Sequence, residues 1–363
     1  MLTAEFVRNR ASFLLALAAL SACDKGGLDN DDSERFSPTA ASVLSAGNPT
    51  KDEDPSVLRA RDGSLFVAWF SERGNNSDIY ITSTERQTRW TQALRITTDP
   101  GGDFYPTLFQ DDAGTFHLTW FRWEAFFRGH IWYNTSTDGK SWNQNTEVRV
   151  TNVNAVDDWV PTPAFAANGD LLVYFVSELR DPLNRTNEIY VARKRAGATT
   201  WEPALPLAAI NSPTEHDHLP FATRIGDRIH LVWVRHDTTQ ATPWLNPKST
   251  LFHATSSDGL SWSAPARITN DVGQVVNLFP GLYARDDGAW SLLWLSTRLG
   301  DPRVFELPVA NLTLFPLGLA ENTSLPPGYS HRITATATPG VYLAVWTQGP
   351  EGAQDVHYRF FRR

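Results

Sequence analysis

Carboxylate and guanidinium side chains recur at fixed positions in this sequence of 363 residues. An arginine fork binds a carboxylate through two parallel hydrogen bonds, and a nearby acid can give or take a proton. The pattern predicts a site for an anionic ligand with acid–base chemistry or, alternatively, strand caps made by the acids and ion pairs made by the arginines. The acids each precede a proline by three residues: Asp52, Asp103, Asp158 and Asp217, with Asn277 in the fifth copy. The arginines follow an aromatic residue: Arg73, Arg122, Arg180, Arg235 and Arg298.

A repeated proline–aromatic pair organises these residues. The two members of a pair are about fourteen residues apart, and two apolar runs around a polar turn lie between them, which is typical of a β-hairpin. A third short strand follows in every copy, and a tryptophan opens a fourth strand in four copies (Trp90, Trp142, Trp201 and Trp262). The pairs are Pro55/Trp69, Pro106/Trp120, Pro161/Phe175, Pro220/Trp233 and Pro280/Trp294, and in a sixth copy Arg332 replaces the proline before Trp346, with Tyr329 three residues ahead of it.

Residues 51–363 thus divide into six units with a period of about 52 residues. Four antiparallel strands repeated at this period predict an all-β fold, a six-bladed β-propeller. The last copy ends after its third strand, and Phe36–Leu44 reads like the fourth strand of the fourth copy. We therefore expect the N-terminal strand to close the last blade, so that no sheet edge stays open. The predicted propeller spans 36–363, with blades at 51–100, 101–151, 156–209, 215–270, 275–320 and 327–363 plus 36–46.

The N-terminal residues are predicted to be an export signal rather than part of the fold. Arg8 and Arg10 precede a short apolar run, and LSAC at 20–23 follows it. This segment resembles the lipobox of bacterial lipoproteins, with a plain secretory signal as the alternative. The resemblance implies removal of residues 1–22, a lipid on Cys23, an acidic tether at 23–35 and a location in the bacterial cell envelope. Because Cys23 is the only cysteine, no intrachain disulfide can form.

Two turns between the third and fourth strands share one sequence pattern, STDGKSW at 136–142 and SSDGLSW at 256–262. The Asp-Gly pair provides the positive φ that the turn needs, the Asp and Ser side chains bond local amides, and the Trp packs between blades. These segments resemble the Asp-box of sialidase-like (BNR-repeat) propellers. In that family the box is a structural turn far from the ligand face, so it indicates the fold rather than the activity.

The resemblance to sialidases also implies catalytic residues. The family has an acid/base Asp after the second strand of the first blade, which corresponds to Asp78, and a nucleophilic Tyr just before the last inner strand, which corresponds to Tyr329. A neutral Tyr nucleophile avoids repulsion by an anionic substrate, and a nearby carboxylate can take its proton. Asp217 or Glu215 would be that carboxylate.

The implied substrate clamp is incomplete. The family's later arginines correspond to Arg235 and Arg298, and Arg73 adds a guanidinium to the same rim. The family's first arginine, however, falls at Glu53, where a carboxylate would repel an anionic substrate. The resemblance therefore implies a sialidase-like glycoside hydrolase that lacks one member of the arginine triad.

Three functions remain open from the sequence. The first is an exo-acting glycoside hydrolase, anchored at the surface, that acts on an acidic or decorated glycan at the axial face. The second is a non-catalytic glycan-binding propeller in which Trp123, Trp159 and Trp244 stack on sugars, and the third is a scaffold for envelope proteins. We expect a monomer that meets the membrane only through its anchor, and a net charge of −8 argues against a nucleic-acid partner.

Histidines near the fourth proline raise the question of a metal. His216 and His218 alternate to one face of an extended segment, but two ligands are fewer than the three of a catalytic zinc site. His331 or His236 would have to complete the set. We therefore expect no metal centre and no cofactor, and the sequence leaves open a structural cation at the axis held by the repeated aspartates.

Overall fold

The computed structural model describes residues 39–45, 50–74, 76–85, 89–124, 128–153, 156–178, 186–236, 248–311, 321–322, 325 and 328–363. The proposed signal and tether, Cys23, Arg180 and Trp244 lie outside these residues. In the part of the chain that the structure describes, no helix is both long and apolar enough to cross a membrane.

Six antiparallel sheets follow one another along the chain, and all are built from consecutive strands except the last, which also takes in the N-terminal strand. Blade 1 contains β2 (Asp52–Arg59), β3 (Leu65–Ser71), β4 (Asp78–Glu85), β5 (Arg89–Trp90) and β6 (Leu94–Arg95). Blade 2 contains β7 (Gly102–Gln110), β8 (Phe116–Glu124), β9 (Arg128–Ser136) and β10 (Val148–Arg149). Blade 3 contains β11 (Asp157–Phe165), β12 (Leu171–Glu178), β13 (Glu188–Lys194) and β14 (Leu205–Pro206). The outer edge of blade 1 is in two short pieces, β5 and β6, which both pair with β4.

The last three blades repeat the same order. Their strands are β15 (His216–Ile225), β16 (Arg228–His236), β17 (Ser249–Ser256) and β18 (Ala266–Arg267); then β19 (Asn277–Ala284), β20 (Trp290–Leu299), β21 (Asp301–Pro308) and β22 (Glu321–Asn322); then β23 (Tyr329–Ala335), β24 (Val341–Gln348), β25 (Asp355–Arg362) and β1 (Ser42–Val43). Two single-turn 3₁₀ helices, Gln144–Thr146 and Val309–Asn311, lie outside the sheets. The prediction of a six-bladed propeller is confirmed.

The N-terminal strand closes the ring, as predicted. Strand β1 pairs antiparallel with β25, with Ser42 opposite Tyr358. The Leu44 N–H donates to the Val356 carbonyl at 2.7 Å, and the Ser45 hydroxyl bonds the Asp355 carboxylate at 3.1 Å. One sheet therefore holds both ends of the described chain.

The second strand of each blade forms the centre of its core. Every residue of β3 is buried, and the aromatic residue that marks this strand is at most 1% exposed in all six blades (Trp69, Trp120, Phe175, Trp233, Trp294 and Trp346). These large rings fill the space between adjacent sheets, which is the main hydrophobic contribution to stability. Of the four tryptophans predicted to open a fourth strand, only Trp90 lies in one; Trp142, Trp201 and Trp262 precede the outer strand of their blade.

The two turns with the shared Ser-x-Asp-Gly-x-Ser-Trp pattern have one hydrogen-bond arrangement. Ser136 accepts from the Gly139 N–H at 3.0 Å, and Asp138 accepts from the Ser141 N–H at 2.7 Å. The turn around Asp258 repeats these bonds. Burial acts to raise the pKa of Asp138, but the backbone N–H bonds lower it to about 2. The carboxylate is thus ionised and holds the turn.

A strained residue lies near the start of every inner strand. It directly precedes the repeated proline in the first five blades and His331 in the sixth, and its φ is between 46° and 54° although none of the six is a glycine. The pairing with the second strand shifts at this point in every blade (Asp54, Tyr105, Val160, Leu219, Phe279 and Ser330). Such a conformation is costly for a side chain with a Cβ, and a bulge of this kind re-aims the residues around it. The bulge therefore fixes which side chains face the axis.

The bulge corrects the predicted register of the sixth copy by one residue. Ser330 carries the positive φ there, so His331 rather than Arg332 occupies the position of the proline. Tyr329 consequently aligns with Glu53, not with the aspartate that precedes it. Because Arg332 was taken as the proline equivalent on spacing alone, the sequence could not reveal this shift.

The repeated aspartates are hydrogen-bonded inside their own blades. In blade 3, which has Phe175 in place of the Trp, Asp158 instead accepts from the Ser177 hydroxyl at 2.6 Å. In blade 6 the position is Gly328, where a Cβ would lie 2.5 Å from the Trp346 ring. In the other blades the carboxylate or amide accepts the indole N–H of the core tryptophan: Trp69 to Asp52 at 3.0 Å, Trp120 to Asp103 at 2.9 Å, Trp233 to Asp217 at 2.7 Å and Trp294 to Asn277 at 3.1 Å.

Candidate functional site

The inner strands surround an axial cavity of about 210 Å³. We call the face at which these strands begin the mouth face, because the bulge residues line the cavity there. Among the bulge residues that line it, Asp54 and Ser330 bring a carboxylate and a hydroxyl together where blade 6 meets blade 1, whereas Val160, Leu219 and Phe279 are apolar. Threonine side chains of blades 2, 3 and 4 also line the cavity.

Two of the predicted site residues, Arg235 and Asp217, bind each other. The guanidinium donates from Nε to Oδ1 at 2.8 Å and from Nη2 to Oδ2 at 3.1 Å. Asp217 is fully buried and also accepts from the Ser212 N–H at 2.7 Å. Burial raises the pKa of Asp217, although the hydrogen bonds from Arg235 act to lower it. The Arg235 fork is therefore occupied by an internal carboxylate.

Arg73 and Arg298 share a second arrangement, two positions further along their blades than Arg235. Arg73 Nε donates to the Ser71 hydroxyl at 2.9 Å and Nη2 to Asp52 at 3.4 Å. Arg298 contacts the Ser296 hydroxyl in the same way and reaches Asp271 at 3.3 Å. The guanidinium groups of Arg73, Arg235 and Arg298 thus lie in three different blades, each against a carboxylate.

Asp78 lies away from the axis. It opens β4 opposite Ser71, which in turn is opposite Asp52, so its backbone is two strands, or about 10 Å, from the inner strand. The side chain is fully buried and forms an ion pair with Arg95 at 2.6 Å. Burial raises the pKa of Asp78 and the charge of Arg95 opposes this effect. The structure therefore does not bring Asp78 next to Tyr329.

Tyr329 and Glu53 form a buried polar cluster on the mouth face, where blade 6 meets blade 1. The Tyr329 hydroxyl donates a hydrogen bond to Glu53 Oε1, and Lys51 Nζ lies 2.9 Å from Glu53 Oε2. Beside them the Ser330 hydroxyl donates to Asp54 at 2.7 Å. Burial raises the pKa of Glu53, against the lowering effects of Lys51 and of the tyrosine hydrogen bond.

Sequence reasoning missed this role of Glu53. It treated Glu53 as a departure from the arginine triad, and it looked for the partner of Tyr329 near Asp217. The signal that could have found the pair is the register, since both residues directly precede the bulge residue of adjacent blades. Neighbouring inner strands contact each other, so equivalent positions in blades 6 and 1 meet across the junction.

Glu215 and Trp159 lie near the same face but in blades 4 and 3. The Glu215 carboxylate is half-buried and accepts from the Ser212 hydroxyl at 3.5 Å. Trp159 is only 6% exposed and packs edge-on against the His218 ring, with 5.6 Å between ring centres. Trp159 therefore offers little ring surface for a sugar to stack on.

Of the histidines near the fourth proline, His218 and His236 are buried and His216 is half-buried. Burial lowers the pKa of His236 to about 3 and that of His218 well below its usual value. His216 Nδ1 accepts a hydrogen bond from the Asn187 N–H at 2.9 Å. Within the described ranges, no group of three or more His, Cys, Asp or Glu side chains is arranged to hold a metal ion.

A further carboxyl that sequence reasoning did not select is Glu178, at the end of β12 on the mouth face. It lies directly opposite Asp157 in the sheet. Burial, reinforced by the charge of Asp157, raises the pKa of Glu178. A partly buried carboxyl with a raised pKa is suited to act as a general acid. No feature of the sequence distinguishes this glutamate from other rim acids, because its pKa depends on burial.

By sequence, the chain matches no protein-family model and no curated protein. In structure it is similar to an α-L-arabinanase of Penicillium chrysogenum complexed with arabinobiose, with 14% identity, a TM-score of 0.70, and coverage of 90% of this chain and 98% of that one. An α-L-arabinofuranosidase of Fusarium graminearum with arabinobiose has 13% identity, a TM-score of 0.66 and coverage of 91% and 98%. A sialidase variant from Streptococcus pneumoniae has 9% identity, a TM-score of 0.62 and coverage of 88% and 70%. At these identities the likeness shows that the chain shares their fold.

Proposed function

We propose that this chain is a glycoside hydrolase whose reacting groups lie at the mouth, where blade 6 meets blade 1. The observation that carries the proposal is the hydrogen bond from Tyr329 to Glu53, which couples a nucleophilic oxygen to a carboxylate able to take its proton. The fold likeness to an arabinanase, an arabinofuranosidase and a sialidase supports a glycan as the substrate.

In the proposed reaction the Tyr329 oxygen attacks the anomeric carbon while its proton passes to Glu53. The bond from the anomeric carbon to the leaving oxygen breaks, and that oxygen takes a proton from an acid. We assign the acid role to Glu178, whose pKa is raised by burial, rather than to Asp78, whose carboxylate forms an ion pair with Arg95 at 2.6 Å. Water then hydrolyses the glycosyl–tyrosine bond, and the two acids return to their starting states.

We further propose that the substrate is a neutral glycan rather than an acidic one. The guanidinium groups that would clamp a substrate carboxylate are paired with Asp217, Asp52 and Asp271. Unless these pairs break, an anionic sugar would meet acids at the mouth and be repelled. The arabinobiose held by two of the structural neighbours is a neutral pentose disaccharide, and an arabinose-containing glycan is the substrate class that we favour.

The burial of the pair places a condition on this proposal. Tyr329 is 4% exposed and Glu53 3%, so the junction between blades 6 and 1 must open at its mouth when substrate enters. The same observation favours a second function, a non-catalytic glycan-binding propeller, in which the pair only joins the first and last blades.

Turnover measurements distinguish the two functions. The full chain is assayed with aryl α-L-arabinofuranoside, an aryl sialoside and a panel of neutral aryl glycosides. We expect hydrolysis of a neutral glycoside, its loss in Tyr329→Phe, and a fall of about 10²- to 10⁴-fold in Glu53→Gln. Tyr283→Phe is the matched control, because it removes an equally buried tyrosine–glutamate bond, to Glu306 at 2.5 Å, at the end of β19 away from the mouth.

The possible outcomes separate the hydrolase from the non-catalytic glycan-binding propeller. Release of sialic acid would overturn the neutral substrate, and full activity in Tyr329→Phe would overturn the nucleophile. Glycan binding without turnover in the unaltered chain would favour the non-catalytic function.

We also propose that the chain is exported and anchored in the cell envelope through a lipid on Cys23. The support is the LSAC segment after a short apolar run. Metabolic labelling with a radioactive fatty acid tests this directly. We expect label in the unaltered chain and none in Cys23→Ala, whereas an unlabelled chain would leave a plain secretory signal.

A further inference from the structure

A cleft of about 840 Å³ separates blades 1 and 2 on the mouth face. This volume is within the range of small-molecule sites, roughly 300–1,000 Å³, and exceeds that of the axial cavity. Its walls combine acidic and aromatic side chains that the proposed reaction does not use. The residues that matter are Glu72, Asn76, Asp99, Phe104, Trp123 and Glu124.

The base of the cleft is tightly built. A Cβ on Gly101 would lie 2.6 Å from the Trp123 carbonyl, and one on Gly102 would lie 2.8 Å from the Phe104 ring. Asn76 donates to the carbonyl oxygens of Asp99 at 2.7 Å and Gly101 at 3.2 Å. Because these contacts fix the backbone between the blades, the cleft is formed before any ligand arrives.

The charge of the cleft excludes anionic ligands. Glu72 and Asp99 are exposed, and among the described residues that line the cleft there is no lysine, arginine or histidine. The Arg122 guanidinium, which lies 3.7 Å from Asp99, is only 2% exposed and is bound to Asp103 and Glu147. Carboxylates that accept hydrogen bonds suit a ligand rich in hydroxyl donors.

Two half-buried rings give the cleft an apolar surface beside these acceptors. Trp123 and Phe104 both retain exposed area. Glu124 Oε1 accepts a hydrogen bond from the Trp132 indole N–H at 3.2 Å, and the Arg149 guanidinium lies 3.9 Å from Glu124 Oε2. A flat ring next to a fixed carboxylate is a combination that binds sugars, whose C–H faces pack on the ring while their hydroxyls donate.

We infer that this cleft is a subsite for the neutral oligosaccharide chain that extends from the reacting sugar. Phe104 holds in blade 2 the position that Glu53 holds in blade 1, directly before the bulge, so the cleft begins beside the reacting pair and runs outward. The inference rests on the proposed function for its substrate class. Through Trp123 and Glu72, the protein then binds long oligosaccharides more tightly than short ones.

Binding measured without turnover tests the subsite by itself. The Tyr329→Phe chain is titrated calorimetrically with linear arabinotetraose and with arabinobiose. Adding Trp123→Ala is expected to weaken tetraose binding about tenfold, which corresponds to about 1.4 kcal/mol, and to affect the disaccharide less. Glu72→Gln is expected to weaken the tetraose in the same selective way. Matched controls are Trp201→Ala, another half-buried tryptophan, and Asp227→Asn, an exposed acid at a hairpin tip on the opposite face.

Equal losses for both ligands, or no loss in Trp123→Ala and Glu72→Gln, would overturn the subsite. Thermal unfolding of each variant separates a local effect from a loss of folding. Turnover of the aryl glycoside by the unaltered chain reports on the proposed function separately. An inactive chain with chain-length-dependent binding at Trp123 would keep the subsite and reject the hydrolase.

Discussion

Both carboxylate oxygens of Asp217 accept hydrogen bonds from the Arg235 guanidinium, at 2.8 and 3.1 Å. Asp217 is fully buried and the Arg235 side chain is 12% exposed. The pair therefore exchanges solvation for a bidentate contact inside one blade. Blade 2 repeats the arrangement with Asp103 and Arg122, which indicates a structural element of the repeat rather than a single ligand site.

This pair predicts a loss of stability rather than of substrate affinity when one partner is removed. Arg235→Gln should lower the free energy of unfolding by about 3–5 kcal/mol, because it leaves a buried carboxylate without its counter-charge. Adding Asp217→Asn should recover part of that loss. Urea unfolding of the two single variants and the double variant measures the coupling. An Arg235→Gln chain of unchanged stability but raised KM would instead support a substrate clamp.

The fold could be predicted from the sequence because each residue type of the repeat marks one kind of structural element. Pro55 and Trp69, for example, mark an inner strand and a core strand that must pair. The candidate site was harder to predict, since it depends on register and burial. Tyr329 remains a predicted site residue, and its hydrogen-bond partner Glu53 became visible only when the bulge at Ser330 set the alignment. The occupation of Arg235 by Asp217 depends on side-chain geometry that spacing does not contain.

Closure by the N-terminal strand predicts sensitivity to a single backbone donor. Leu44→Pro removes the N–H that bonds the Val356 carbonyl at 2.7 Å and should destabilise the propeller by about 3 kcal/mol. Val43→Thr, at a neighbouring position that is 38% exposed, is the control and should change stability little. Chemical denaturation monitored by circular dichroism measures both. Equal stability of Leu44→Pro and the unaltered chain would mean that the pairing of β1 with β25 does not hold the ring closed.

Two glycines with similar backbone angles predict different costs for the same substitution. Gly226 has φ +64° with nothing within 4 Å of a built Cβ, so Gly226→Ala should cost about 1–2 kcal/mol from backbone strain alone. Gly259 has φ +77°, and a Cβ there would lie 2.7 Å from Leu172 and 2.8 Å from the Tyr174 hydroxyl. Overpacking should therefore add about 1–3 kcal/mol to the cost of Gly259→Ala. Thermal unfolding of the two variants provides the comparison, and equal costs would show that the contacts relax freely.

The raised pKa values of Glu53, the proposed base, and of Glu178, the proposed acid, predict a bell-shaped pH profile of turnover. Burial raises the pKa of Glu53, which must be ionised to take the Tyr329 proton, so activity should fall as the pH drops through that raised pKa. Burial also raises the pKa of Glu178, which must be protonated to act as the acid, so activity should fall as the pH rises through it. Glu178→Gln cannot ionise and should lose the alkaline limb along with most of kcat, while an aryl glycoside with a good leaving group should lose less. Asp227→Asn serves as the control and should keep both limbs. A Glu178→Gln chain with an unchanged profile would assign the acid role to another residue, because only the group that donates the proton sets the alkaline limb.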